Sequence, residues 1–181
     1  MGAGRTTMVG RAAPALELAD TRDETWRLPA PAEAAATVVV WTCNHCPYAL
    51  AWHERIVAVA RDYADRGVRF LAVNSNDAER YPHDSLEAMR ERVAAERWPF
   101  PYLHDATQEA ARAWNAQVTP HVYVLDPGLE VRYEGAPDAD HMRPAEDAAW
   151  LRAALDAVLA GERLERPATE PVGCSIKWKR S

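Results

Sequence analysis

No apolar run in this sequence approaches the roughly 20 residues that a membrane-crossing helix needs. Gly-x-Gly-x-x-Gly and phosphate-loop patterns are missing, so no nucleotide or flavin cofactor is expected. Basic side chains form no dense stripe: the net charge is −6, and the one basic cluster is the short ending Lys177, Lys179 and Arg180. Such a balance argues against nucleic acid as a partner, because nothing neutralises phosphates. Residues 1–13 carry charge but lack the apolar stretch of a secretory signal, and the expected location is cytoplasmic. Cysteine is scarce too. Three in 181 residues do not make a disulfide framework, and an odd number points to reactive or metal-binding thiols.

Two of those thiols lie close together. The apolar run Thr37-Val38-Val39-Val40-Trp41-Thr42 leads directly into Cys43-Asn44-His45-Cys46-Pro47. Where a strand turns into a helix, an i, i+3 spacing puts both sulfurs on one helical face, within reach of a small disulfide ring. A helix N-terminus offers unpaired N–H groups and a positive dipole end, which favour thiolate over thiol. On this reading Cys43 is the more exposed and more acidic sulfur, the one that attacks a disulfide, and Cys46 resolves the mixed disulfide. His45, partly cationic, is expected to stabilise the Cys43 thiolate and shift the couple toward oxidant. The plainer readings of the pair are half of a structural zinc site or two core cysteines.

The length suits a single domain, 1–181, with a substantial core. Leu16–Leu18 and Thr25–Leu28 read as a hairpin around the polar turn Asp20-Thr21-Arg22-Asp23. Thr37–Trp41 reads as a central strand covered on both faces. From about Asn44 the period becomes helical, with Tyr48, Trp52, Ile56, Val59, Ala60 and Tyr63 recurring and Gly67 as a cap. Val68–Val73 is the next strand, followed by the polar loop Asn74-Ser75-Asn76-Asp77. Asp84 with Glu87 is expected to cap a helix through Arg97, and Asp105 with Gln108 another to about Asn115. Between them the prolines of Pro99–His104 suggest an edge strand. His121–Leu125 and Glu130–Tyr133 form a hairpin across Asp126-Pro127-Gly128, and a last helix runs from Pro144 to Ala160. Residues 162–181 are expected to form an irregular tail packed on the domain. Strands alternating with helices and closing on a hairpin indicate an α/β fold with a mixed central sheet flanked by helices.

A strand, then Cys43-x-x-Cys46-Pro47 opening a helix, then Thr119-Pro120 before a strand and hairpin, resembles thioredoxin-fold proteins. The N-terminal hairpin and the inserted helix–strand unit between Val73 and Asp105 resemble the redoxin branch, which includes the AhpC/TSA relatives. The stretches Cys43–Tyr48, Asn74–Asp77, Phe100–Asp105, Thr119–His121 and Pro171–Lys179 resemble a group of bacterial thioredoxin-like proteins, over nearly the whole chain. The resemblance implies that the Thr119–Pro120 bond is cis and that its loop faces the cysteines. It also implies a wall or substrate-contact role for Trp41, Asn44, Thr119 and His121. Disulfide-introducing enzymes resemble this site in carrying a histidine at the position of His45. Peroxiredoxins place Pro and Thr ahead of the attacking cysteine in a register absent here, and the Gly-Pro of thioredoxin is replaced by Asn44-His45.

The expected activity is therefore thiol–disulfide exchange with a protein or low-molecular-weight disulfide, with electrons from an upstream thiol reductant and no bound cofactor. Cys174 is a candidate third redox thiol, pairing with Cys43 or Cys46, or else a free thiol in a packed strap anchored by Ile176 and Trp178. Two other activities compete: a thiol peroxidase resolved by Cys46 or Cys174, and a metal-binding module using Cys43, Cys46 and Cys174 or His121. His53, His83, His104 and His141 read as surface or packing residues, and Trp26, Trp98, Trp114 and Trp150 as core.

Overall fold

In the computed structural model, which describes residues 6–181, the chain builds a five-stranded mixed sheet. A hairpin comes first, β1 (Leu16–Ala19) and β2 (Thr25–Leu28). Its turn is closed by Asp20, whose carboxylate accepts from Arg22 N at 2.8 Å, Glu24 N at 3.0 Å and Trp26 Nε1 at 2.9 Å. Next come β3 (Ala36–Trp41), α1 (Pro47–Asp62), β4 (Val68–Asn74), α2 (Leu86–Glu96), β5 (Tyr102–His104) and α3 (Glu109–Ala113). The chain continues through the short β6 (Val118–Thr119), β7 (His121–Leu125), β8 (Val131–Gly135), α4 (Ala149–Ala160) and a final short strand, β9 (Cys174–Ser175). The sheet order is β5-β4-β3-β7-β8, with β3, β4 and β5 parallel and β7 and β8 antiparallel to their neighbours.

This is the mixed sheet that the alternating pattern predicts, with β5 on the edge where the prolines placed it. β3 is buried along its whole length, as its unbroken apolar run requires. Its side chains alternate between two cores. Val38 and Val40 meet α1, α2 and α4 through Trp52, Ile56, Met89, Leu151 and Leu155. Val39 and Trp41 meet α3, the N-terminal hairpin and the tail through Trp114, Leu16, Leu28 and Ile176.

Three boundaries differ from expectation. α1 begins at Pro47 rather than near Asn44, because proline is preset for the first helical position and disfavours helix in the residue before it. The α2 cap is Ser85, whose Oγ accepts from Ala88 N at 3.2 Å, and Asp84 ends a preceding 3₁₀ turn. The last helix begins at Ala149, with only a 3₁₀ turn at Pro144–Glu146. The tail is less irregular than expected, since β9 pairs with β6.

α1, which carries the cysteine loop at its N-terminus, is locked to the loop before α4 by a buried ion pair. Arg55 Nη1 lies 2.9 Å from Asp138 Oδ2, and Asp138 also accepts from Trp52 Nε1 at 2.8 Å and Ala148 N at 2.9 Å. Removing one partner strands the other charge in the core. Asp138→Ala is expected to destabilise the fold by about 3–5 kcal/mol, read as a shift of the urea unfolding midpoint.

Candidate active site

β3 ends at Trp41, and Thr42 keeps one further sheet bond, its N–H donating to Val73 O at 2.9 Å. The next four residues form the loop that holds both cysteines. Cys46 is the N-cap of α1, in extended conformation (φ −75°, ψ 122°), and Cys43 lies upstream of the helix. The helix start, expected to act on Cys43, thus lies at the later sulfur.

Opposite this loop stands Thr119, at the end of β6, with a cis peptide bond to Pro120 as the resemblance implied. Cys43 Sγ is 3.3 Å from Thr119 Oγ1, and the Cys46 thiol donates to Thr119 O at 3.2 Å. Both sulfurs are enclosed, Cys43 1 % and Cys46 0 % exposed, against the expectation of an exposed Cys43. The third thiol, Cys174 on β9, sits directly across from Thr119 in the β6–β9 register and packs on the pair. All three thiols are unbonded.

The loop is braced by Asp84, whose side chain is fully buried. Its Oδ1 accepts from Asn44 N at 2.7 Å and Asn74 Nδ2 at 3.0 Å, and its Oδ2 from Asn76 Nδ2 at 3.0 Å. His45 Nδ1 lies 2.6 Å from Oδ2, an ion-pair distance but off the line of a hydrogen bond. Arg92 reaches in from α2, donating to Cys43 O at 3.0 Å and Asn44 Oδ1 at 3.2 Å. Tyr102 OH donates to Asn44 Oδ1 at 2.9 Å. Asn44 therefore ties the loop to α2, β5 and the turn before α2, its own amide donating to His83 O at 2.8 Å.

Negative charge settles on Cys46. A hydrogen bond from Cys43 lowers the Cys46 pKa to about 4, with help from Cys174, Thr119 and the Ala49 N–H in the first turn of α1, and against the cost of burial. Cys43 is pushed upward, first because its proton is engaged by Cys46, then by burial and by the charges of Asp84 and Cys46. From the sequence the acidic sulfur is expected at Cys43, whereas in this coupled pair the downward shift falls on Cys46. His45 does not offset this, since its imidazole is turned to Asp84, whose charge opposes a Cys43 anion. Cys174 is raised to about 11 by burial and by the neighbouring Cys46. The proton that Cys46 shares with Thr119 O is the one the cluster gives up first, and the sulfurs titrate as a coupled set.

The other expected contacts are only partly assembled. Trp41 is fully buried, donating to Ser75 Oγ at 2.9 Å and packing on Trp114 and Tyr123, so it supports the site from beneath rather than walling it. His121 is also buried, its Nδ1 accepting from Gln117 N at 3.2 Å and its ring stacked on Tyr123. Among the described residues, one group of three donors could converge on an ion: Cys43, His45 and Asp84, with ligand atoms within 4.8 Å of one another. That group excludes Cys46, Cys174 and His121, the partners the metal-binding alternative required. Asp84 carries a sequence signal only as a helix cap, and Arg92 and Tyr102 carry none; the polar loop Asn74–Asp77 is the nearest signal of this network.

Residues 9–134 match the AhpC/TSA family, a span that ends ahead of α4 and the Cys174 strand. An uncharacterised conserved protein of Geobacillus kaustophilus is 41% identical, over 96% of this chain and 93% of that one, with a TM-score of 0.89. A hypothetical protein of Sinorhizobium meliloti 1021 is 33% identical, over 97% of each chain, with a TM-score of 0.91. The peroxidoxin BcpB of Mycobacterium tuberculosis, 17% identical over 86% of this chain and 97% of its own, shares the fold at a TM-score of 0.64. No curated protein matches the sequence. Family span, sheet order and the cysteine-bearing strand-to-helix loop agree: this chain has a thioredoxin-like fold and belongs to the AhpC/TSA family of oxidoreductases.

Proposed function

We propose that the protein is a thiol–disulfide oxidoreductase that cycles Cys43 and Cys46 between dithiol and disulfide. The observation that carries this reading is the convergence of both sulfurs on Thr119, one on its hydroxyl and one on its carbonyl. In the exchange, the Cys46 thiolate attacks one sulfur of a protein or low-molecular-weight disulfide and expels the other as a thiolate. Cys43 then gives up its proton and attacks Cys46, releasing the reduced substrate and closing the Cys43–Cys46 disulfide. An upstream thiol reductant reopens it. This assigns the attack to Cys46, because the thiolate is the nucleophile and charge settles there.

Thr119 and Pro120 provide the substrate edge. An extended peptide segment can add to the short strand β6 through main-chain hydrogen bonds, and proline withholds a competing N–H beside the sulfurs. Asn44 and His45, both partly exposed, are the loop residues a substrate meets first. Thiolate stabilisation at Cys46 stabilises the dithiol and makes the disulfide a better oxidant. No described helix is long and apolar enough to cross a membrane, and a cytoplasmic thiol system is the proposed partner.

The activity is tested by mixing reduced protein with oxidised glutathione or insulin, and separately with hydrogen peroxide in stopped flow. Rapid formation of a Cys43–Cys46 disulfide with the disulfide substrates supports the proposal. Oxidation by peroxide alone moves the assignment to a thiol peroxidase. The assignment of charge has its own readout. Iodoacetamide labelling of Cys46 is expected to stay level through neutral pH and fall only toward about pH 4, whereas an ordinary thiol gains rate up to its pKa of about 8.5.

A further inference from the structure

The end of the chain lies where a substrate would. β9 runs antiparallel to β6, with Ser175 opposite Val118 and Cys174 opposite Thr119. Gly173 permits this approach: a Cβ there would lie 2.0 Å from Thr119 O and 2.7 Å from its carbonyl carbon. Cys174 is half-buried and packs against the cluster of Cys43, Cys46 and Ala49. The strap is fastened beyond this point. Ile176 N donates to Gln117 O at 3.3 Å, and Lys177 N to Asn76 Oδ1 at 2.8 Å. Lys177 O accepts from Asp77 N at 2.8 Å and Gln108 Nε2 at 2.9 Å, while the Trp178 ring lies under Arg112.

Resting on the exchange chemistry above, we propose that residues 173–176 are a built-in substrate: they occupy the Thr119 edge as an extended peptide would, and Cys174 exchanges disulfides with Cys46. The step balances without an outside oxidant. In the oxidised pair, Cys174 sulfur attacks Cys46 sulfur, the Cys43–Cys46 bond breaks, a Cys46–Cys174 bond forms, and the Cys174 proton passes to the Cys43 sulfur. The product is a capped enzyme whose strap is covalently closed over the site. An incoming substrate must displace the strap from the reduced enzyme, and a peptide that pairs with β6 competes with it residue for residue. Cys174 sulfur marks where the substrate sulfur would stand.

The test oxidises the full chain with oxidised glutathione, traps free thiols in acid, and maps linkages by mass spectrometry of proteolytic fragments. Wild type is expected to contain both Cys43–Cys46 and Cys46–Cys174 disulfides, and Cys174→Ser only the former. In Cys43→Ser the chain is expected to lose two hydrogens to oxidised glutathione, which leaves as two thiols, and close Cys46–Cys174, while Cys43→Ser with Cys174→Ser retains a glutathione on Cys46. If Cys43–Cys46 forms but Cys46–Cys174 never does, in wild type or in Cys43→Ser, the internal exchange is overturned and the oxidoreductase reading stands. If wild type and Cys174→Ser both fail to close Cys43–Cys46, that reading fails instead. A second variant keeps the strap testable without touching a sulfur. Gly173→Ala is expected to raise Cys46 alkylation in the reduced protein by about tenfold, the equivalent of ~1.4 kcal/mol of lost docking. An unchanged rate overturns the claim that the strap closes the site.

Discussion

Thr119 is where this site is held together. Its hydroxyl meets Cys43, its carbonyl meets Cys46, and its backbone pairs with the strand bearing Cys174. Three sulfurs, two from one loop and one from the far β9 strand, are thereby brought around one residue. The central one, Cys46, also caps α1, so the dipole end of the helix and two thiol donors act on the same atom. Burial alone disfavours a thiolate; here specific donors outweigh it. The chemistry of the chain follows from that imbalance.

A second buried charge sits close by and has to be accommodated. Asp84 is a fully buried carboxylate, a state that costs several kcal/mol unless its oxygens are bonded. Two asparagine amides, a backbone N–H and the His45 imidazole ring surround it, and Arg92 brings positive charge to the same loop from α2. These bonds also fix the conformation of Asn44 and therefore of the stretch between the cysteines. Asp84 thus acts on the sulfurs twice: it shapes their loop, and its charge keeps the anion away from Cys43.

Much of this was legible in the sequence where the signal is local. The unbroken β-branched run of β3, the turn at Asp20 and the proline-marked edge strand each reflect neighbours along the chain, and the structure places them as read. The Cys-x-x-Cys pair was visible for the same reason, whereas the cis bond at Pro120 followed only from the family resemblance. What could not be read depends on contacts across long separations. Asp84 has the local look of a helix cap, and only its approach to residues 44, 74 and 76 makes it part of the site. Trp41, expected to wall the site, follows strand alternation onto the face of Val39, away from α1. That Cys174 reaches the cysteine pair at all is decided by the β6–β9 register, which no spacing reveals.

The central claim is that one thiolate, on Cys46, is held by two protonated neighbours. Its most direct test is a ¹³C NMR titration of the reduced protein labelled at cysteine Cβ, assigned with single Cys→Ser variants. The account predicts that the Cys46 resonance titrates near pH 4 while Cys174 stays protonated to about pH 11 and Cys43 beyond it. Three resonances moving together near the ordinary thiol value of about 8.5 would contradict it.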